Sequence, residues 1–196
     1  MKSTLLYVHG LGSDQNSRKF INLKEHFKDQ FNYDFVEWKN DSNISELLDE
    51  AEFKLEDVEN PILVGDSTGA NFAYQLRERR LKKGKNSILI LSSPLLNIDE
   101  RIADFEFPET LIPQLQKFDN PENAMIIATK KDAVLNQNWL FKKPLNNVKL
   151  IEVDDNHRLE NFHESLDEIK YYINSSTAIF LTNKHYPETM KRLENS

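Results

Sequence analysis

Cysteine is absent from all 196 residues, which removes disulfides, thiol nucleophiles and thiolate metal sites at once. The absence also fits a reducing compartment. Long apolar runs are missing: no stretch approaches the roughly 18 residues of a membrane span. The apolar run near the N-terminus, Leu5 to Val8, is too short for a signal peptide. A cytoplasmic location is therefore expected, and a membrane partner is not. Nor is there an excess of positive charge. The formal net charge is -7 and the pI near 5.3, the wrong sign for tracking a phosphate backbone, so no nucleic-acid partner is expected. The densest basic cluster, Arg77, Arg79, Arg80, Lys82, Lys83 and Lys85, reads instead as the solvated end of a helix, where cations suit the dipole.

Glycine is scarce, with five in the whole chain. Two of the five flank one serine in Ile62-Leu63-Val64-Gly65-Asp66-Ser67-Thr68-Gly69-Ala70. This reads as a short apolar strand, then Gly-x-Ser-x-Gly, then the start of a helix. A strand that turns sharply into a helix lifts the middle serine onto a tight corner with its hydroxyl exposed. The flanking glycines suit a corner where backbone and neighbouring strands come too close for side chains. The plainer reading is a glycine-containing loop that merely ends a strand.

Taken in order, Thr4 to Val8 is a first strand ending in His9-Gly10-Leu11-Gly12-Ser13. Phe20, Leu23, Phe27 and Phe31 recur at helical spacing. Asp34 to Trp38 reads as a strand, and Asn43 with Glu46 three residues on reads as the cap of a second helix. That helix has Ile44, Leu47, Leu48, Ala51, Leu55 and Val58 on its inner face. The helix after the elbow buries Phe72, Ala73 and Leu76 and ends at Gly84. Ser87 to Leu91, Ala124 to Ala128 and Val148 to Val153 are further strands, and Phe162, Leu166, Ile169 and Ile173 mark a last amphipathic helix. Between them, Pro108, Pro113 and Pro121 break any long helix over 95–123. Beyond the last helix, Ala178-Ile179-Phe180-Leu181 is strand-like.

Strands alternating with helices predict a mostly parallel sheet of about six strands with helices on both faces. The predicted organisation is one domain over 1–196, with a lid-like excursion at 94–123 and a C-terminal extension at 175–196. That extension could add an edge strand, pack on the core or make a homodimer contact. Ligands bind at the carboxyl edge of such sheets, and His9-Gly10, Ser67, Asp132 and His157 all fall there.

These residues resemble the α/β-hydrolase superfamily, in particular small bacterial single-domain serine esterases with a minimal lid. The resemblance covers about residues 2–174. It rests on His9-Gly10, on Gly65-Asp66-Ser67-Thr68-Gly69, and on the order Ser67, Asp132, His157. It implies a serine hydrolase acting on a carboxylic ester or thioester of a small soluble molecule. Ser67 would be the nucleophile, His157 its base and Asp132 the carboxylate that orients the imidazole. The backbone N–H groups of Leu11 and Thr68 would form the oxyanion hole. His9, Gly10, Gly65, Asp66 and Gly69 would shape the elbow and the oxyanion loop.

Rivals exist for each role. His26 and His163 lie in amphipathic helices and read as solvated, and His185 is in the polar tail. Asp154 and Asp155 share a short loop with His157, from which reaching back to its Nδ1 is awkward. Asp99 and Asp104 are weaker choices. Two features depart from the family's pattern: Asp66 beside the nucleophile, where a pairing with Lys130 or Lys131 would neutralise it, and those lysines before Asp132. If Asp66 faces the pocket, anionic substrates should be disfavoured. Leu95, Leu96, Ile102, Phe105, Phe107, Leu111, Ile112 and Leu115 either wall an acyl pocket or cover the sheet.

The alternatives are a non-catalytic binding protein or an acyltransferase on the same fold. A flavodoxin-like nucleotide binder would leave the elbow and His157 unexplained. Gly10-Leu11-Gly12 lacks the third glycine of a dinucleotide fingerprint, with Gln15 in its place. No cofactor or metal is expected.

Overall fold

The computed structural model describes residues 2–194, with side chains as far as Thr182. Among these residues six strands form one sheet: β1 (Thr4–Val8), β2 (Asn32–Val36), β3 (Ile62–Asp66), β4 (Ile88–Ser92), β5 (Ala124–Ala128) and β6 (Val148–Glu152). Every pairing is parallel, in the order β2-β1-β3-β4-β5-β6. Four α-helices accompany them: α1 (Arg18–Phe27), α2 (Ile44–Lys54), α3 (Thr68–Lys82) and α4 (Leu166–Glu194).

Because strand side chains alternate, each strand feeds two cores. Leu6, Val8, Leu63, Leu89, Leu91 and Ile126 face one way and pack with Leu48 and Ala51 of α2 and with Ala73 and Leu76 of α3. Leu5, Tyr7, Ile62, Val64, Ile90 and Ile127 face the other way, against Leu23 and Phe27 of α1 and Ile169 and Ile173 of α4. Burial on both faces explains why the central strands read as unbroken apolar runs. The order reverses between β1 and β3, since β1 leads outward to β2 while β3 leads to β4. Crossovers of one hand then require α1 and α3 on opposite faces, as the two cores have them. A crevice opens at such a reversal, beyond the carboxyl ends of the strands. The loop after β1 and the turn after β3 border it.

The Asn43 cap forms as its spacing predicts: its side chain accepts from the Glu46 N–H at 3.4 Å and donates to the Glu46 carboxylate at 2.8 Å. Four expectations need correction. Strand β2 begins at Asn32, two residues before the predicted start. Its pairing with β1 is what fixes the register.

Residues 178–181 are helical, not a strand, because α4 runs on without a break. Thr177 and Thr182 turn their hydroxyls back onto the carbonyls of Ile173 and Ala178, and Phe180 packs on the core. The last two residues of the expected extension, and the side chain of His185, lie outside the described residues.

The basic end of α3 is only partly solvated. Arg80 is fully buried, donating to the carbonyls of Leu55 (2.8 Å) and Val58 (3.1 Å) and to the Ser87 hydroxyl (2.9 Å). Arg77 is buried as well. His26, read as solvated, is half-buried, with its ring edge-on to Phe27.

The segment after β4 is irregular, as its prolines predict, but polar side chains of α3 hold it. Asn71 donates to the carbonyls of Leu95 (2.9 Å) and Gln116 (2.8 Å), and Gln75 donates to that of Gln114 (2.9 Å). None of the helices among the described residues is long and apolar enough to cross a membrane.

Candidate active site

Ser67 stands at the corner between β3 and α3 with φ 49° and ψ -116°, a left-handed conformation that costs a non-glycine residue on the order of 1–3 kcal/mol. The flanking glycines make the corner possible. A Cβ on Gly65 would lie 2.5 Å from the Ala70 Cα, and one on Gly69 would lie 2.2 Å from the His9 carbonyl oxygen. Both distances are closer than real Cβ atoms come, and both neighbours are backbone. Gly10 is crowded from the other side, its notional Cβ 3.2 Å from that of Ser67. The loop after β1 therefore lies against the serine.

The Ser67 hydroxyl is 2.9 Å from His157 Nε2, and His157 Nδ1 is 2.7 Å from Asp132 Oδ2. A carboxylate only accepts, so Nδ1 carries the proton and Nε2 presents its lone pair to the serine. Asp132 is itself fixed: its Oδ1 accepts from the N–H groups of Val134 and Leu135, both at 2.8 Å. The three residues come from three separate strand ends and meet as one hydrogen-bonded chain.

The rival carboxylates have other work. Asp155 builds the turn that carries His157, accepting from the N–H of Asn156 (2.7 Å) and of Asn161 (2.8 Å). Burial alone would raise its pKa, but these backbone donors hold the carboxyl below its ordinary value. Asp154 pairs with Lys131 at 2.5 Å and Asp99 with Lys117 at 3.3 Å. Asp104 and His163 are exposed.

His9 is buried and sealed in a neutral form. Its Nδ1–H donates to the Gly10 carbonyl at 2.8 Å, and its Nε2 accepts from the Trp38 N–H at 3.1 Å. The ring stacks on Phe35 and Trp38, with centroids 5.2 and 4.9 Å away. Burial pushes its pKa below the ordinary 6.5. His9 thus braces the loop that carries Leu11. Leu11 and Thr68 both line the cleft beside Ser67. Thr68 opens α3, so its N–H has no partner within the helix.

Asp66 finds neither of the lysines expected for it. Lys130 pairs with Glu152 at 2.8 Å and Lys131 with Asp154. Its partners are Lys19 Nζ at 2.5 Å and the Ser92 hydroxyl at 2.8 Å, both on Oδ1. Sequence reasoning missed Lys19. The available signal was a lysine in line with Leu23 and Phe27, on the buried stripe of α1 and in the first turn, where the dipole disfavours a cation.

The cleft over Ser67 has a volume of about 1040 Å³. Of the residues expected to wall an acyl pocket, Leu95, Phe105 and Phe107 line it, joined by Leu11, Val134 and Leu135. Leu96, Leu111 and Leu115 pack into the core instead, and Ile102 and Ile112 are exposed.

Similar architectures occur among solved structures. A protein of the alpha/beta hydrolase superfamily from Xanthomonas campestris pv. campestris is 14% identical with a TM-score of 0.60, over 90% of this chain and 98% of that one. The ydeN product of B. subtilis is 19% identical with a TM-score of 0.62, over 88% and 99%. The RedJ thioesterase of the prodiginine pathway in Streptomyces coelicolor is 12% identical with a TM-score of 0.60, over 86% and 89%. Likeness at these identities establishes the fold. No curated protein sequence matches significantly. The family model that matches does so over residues 4–174, so this chain, with its α/β-hydrolase fold, belongs to the Uncharacterised protein family (UPF0227).

Proposed function

We propose that the protein is a serine hydrolase that cleaves a carboxylic ester or thioester of a small soluble substrate through an acyl-enzyme. The observation that carries this reading is the unbroken chain from the Ser67 hydroxyl through His157 to Asp132, at 2.9 and 2.7 Å, at a strained strand–helix corner.

His157 Nε2 takes the Ser67 proton as Oγ attacks the acyl carbon, and the imidazolium that forms is stabilised by Asp132. The carbonyl electrons move to oxygen, where the N–H groups of Leu11 and Thr68 and the N-terminus of α3 would meet the new charge. Collapse of the tetrahedral species expels the alcohol or thiol, which takes the proton back from His157. Water then enters, gives its proton to the same nitrogen, and releases the carboxylic acid and free Ser67. The apolar wall of Leu95, Phe105 and Phe107 would hold the acyl group.

A fluorophosphonate probe tests the reading. Wild-type protein should be labelled and should hydrolyse p-nitrophenyl acetate, and Ser67→Ala should do neither. Wild-type protein that remains unlabelled and inactive would sink the enzyme reading and leave a binding protein on a hydrolase fold.

A further inference from the structure

A carboxylate directly before the nucleophile is an awkward neighbour for a reaction that builds negative charge on the adjacent carbonyl. Asp66 Oδ2 lies 3.5 Å from the position a Cβ would take on Gly10, so it borders the segment that carries Leu11. Asp66 and Lys19 both line the cleft.

Left with its charge, Asp66 would repel the tetrahedral oxyanion. Lys19 removes that field locally. Its Nζ is 2.5 Å from Asp66 Oδ1, and Ser92 Oγ donates to the same oxygen at 2.8 Å. The pair is shielded from water, with side-chain exposures of 5% and 15%, and screening of its field by salt is correspondingly weak.

The remaining groups around the carboxylate leave the task to Lys19. On β1, the buried Tyr7 hydroxyl bonds to Ser17 at 3.0 Å, and burial together with the Asp66 charge keeps it from ionising. His9 is locked neutral. His157 faces Ser67. Arg18, beside Lys19, donates to the carbonyls of Arg158 and Leu159. Arg101, across the cleft, donates to those of Ala103 and Phe105. Lys19 also sits where a helix by itself disfavours a cation, so its placement serves Asp66 and not α1.

The contact has a second effect. Asp66 ends β3 and Lys19 lies in the first turn of α1, so the ion pair ties down the far end of the loop that starts at Gly10. That loop is then pinned at both ends, by packing of Gly10 on Ser67 and by Lys19 on Asp66.

We propose, building on the hydrolase reading above, that Lys19 is a positioning residue for the oxyanion site: it cancels the Asp66 charge beside the nucleophile and fixes the loop that offers the Leu11 N–H. The oxyanion is absent from the bound substrate and develops only on the way to the tetrahedral species, so the effect falls on kcat more than on KM. Like charges about 6–12 Å apart at an effective dielectric of about 20 slow a step by roughly 10- to 100-fold.

Steady-state kinetics and fluorophosphonate labelling of wild type, Lys19→Met, Asp66→Asn and the double variant test this. Lys19→Met should lose about 10- to 100-fold in kcat with KM changed by less than about threefold. The double variant should regain most of that loss, because the charge that Lys19 answered is gone. A space-filling role for Lys19 predicts no such recovery. Wild-type kcat in Lys19→Met, or a double variant as slow as Lys19→Met, overturns the proposal while labelling of the wild type still upholds the hydrolase. An unlabelled wild type overturns the hydrolase reading itself, and the proposal with it. If Lys19→Met does not fold, the double variant is compared with Asp66→Asn: near-equal kcat supports the proposal, and a further tenfold loss overturns it.

Discussion

Asp132 divides its two oxygens between tasks, Oδ2 accepting from His157 and Oδ1 from two backbone N–H groups. In Asp132→Asn the amide oxygen would stay on the backbone donors and the NH₂ would face His157 Nδ1. The imidazole would then carry its proton on Nε2 and could no longer accept from Ser67. A loss in kcat of about 10³- to 10⁴-fold is expected, with Tm within a few degrees of wild type. Thermal melts and kinetics on the same preparation check both halves.

Gly69→Ala presents the opposite case, because its new Cβ would meet the His9 carbonyl at 2.2 Å, which is backbone and cannot swing aside. Destabilisation of about 1–3 kcal/mol or more is expected from the denaturant midpoint. His9 adds a pH dependence. Its folded pKa lies below the ordinary 6.5, so below pH 6.5 the unfolded chain binds a proton that the native state refuses. Stability contributed by neutral His9 is full above pH 6.5 and declines as pH falls toward the folded pKa. Unfolding titrations at pH 7.5 and 5.5 should show a smaller acid loss in His9→Asn than in wild type.

Elements divide between those whose signals were local and those set by partners. The central strands, α2 with its Asn43 cap and the elbow were legible because short apolar runs, capping and Gly-x-Ser-x-Gly are written in neighbouring residues. So were Ser67, Asp132 and His157, each at a strand end. Lys19 was not, because its meaning depends on Asp66, 47 positions away. Helix α4 defeated local reading differently. Ala178-Ile179-Phe180-Leu181 has strand propensity, but a helix already under way extends at little cost, and Phe180 gains core contact by staying on it.

Arg80 misled for a third reason: a basic cluster looks solvated until the carbonyls that end α2 are seen to need donors. Removing those donors in Arg80→Met strips the Val58 carbonyl of its donor and leaves the Leu55 carbonyl with only the Val58 N–H at 3.1 Å. A loss of about 2–4 kcal/mol is expected in chemical denaturation. A variant as stable as wild type would mean that water takes the place of the guanidinium.

Across the whole molecule the charge is unevenly placed. The chain is acidic overall at -7, yet Arg18, Arg101 and Arg158 line the cleft, and its innermost carboxylate is answered by Lys19. Asp66 faces the cleft as considered, but its pairing with Lys19 takes away the ground for expecting anionic substrates to be disfavoured. Matched neutral and anionic esters should differ in kcat/KM by less than about threefold at physiological salt, where surface fields are largely screened. A strong preference for the neutral ester would return the Asp66 charge to the cleft.

The placement of His157 beyond β6, on the last strand of the sheet to be made, has a consequence for the protein's biosynthesis. Ninety positions separate Ser67 from His157. At ordinary rates of translation Ser67 is polymerised roughly 5–20 s before His157. On the hydrolase reading, the nascent chain carries an inert hydroxyl through that interval, and reactivity would begin only when the sheet receives its final member.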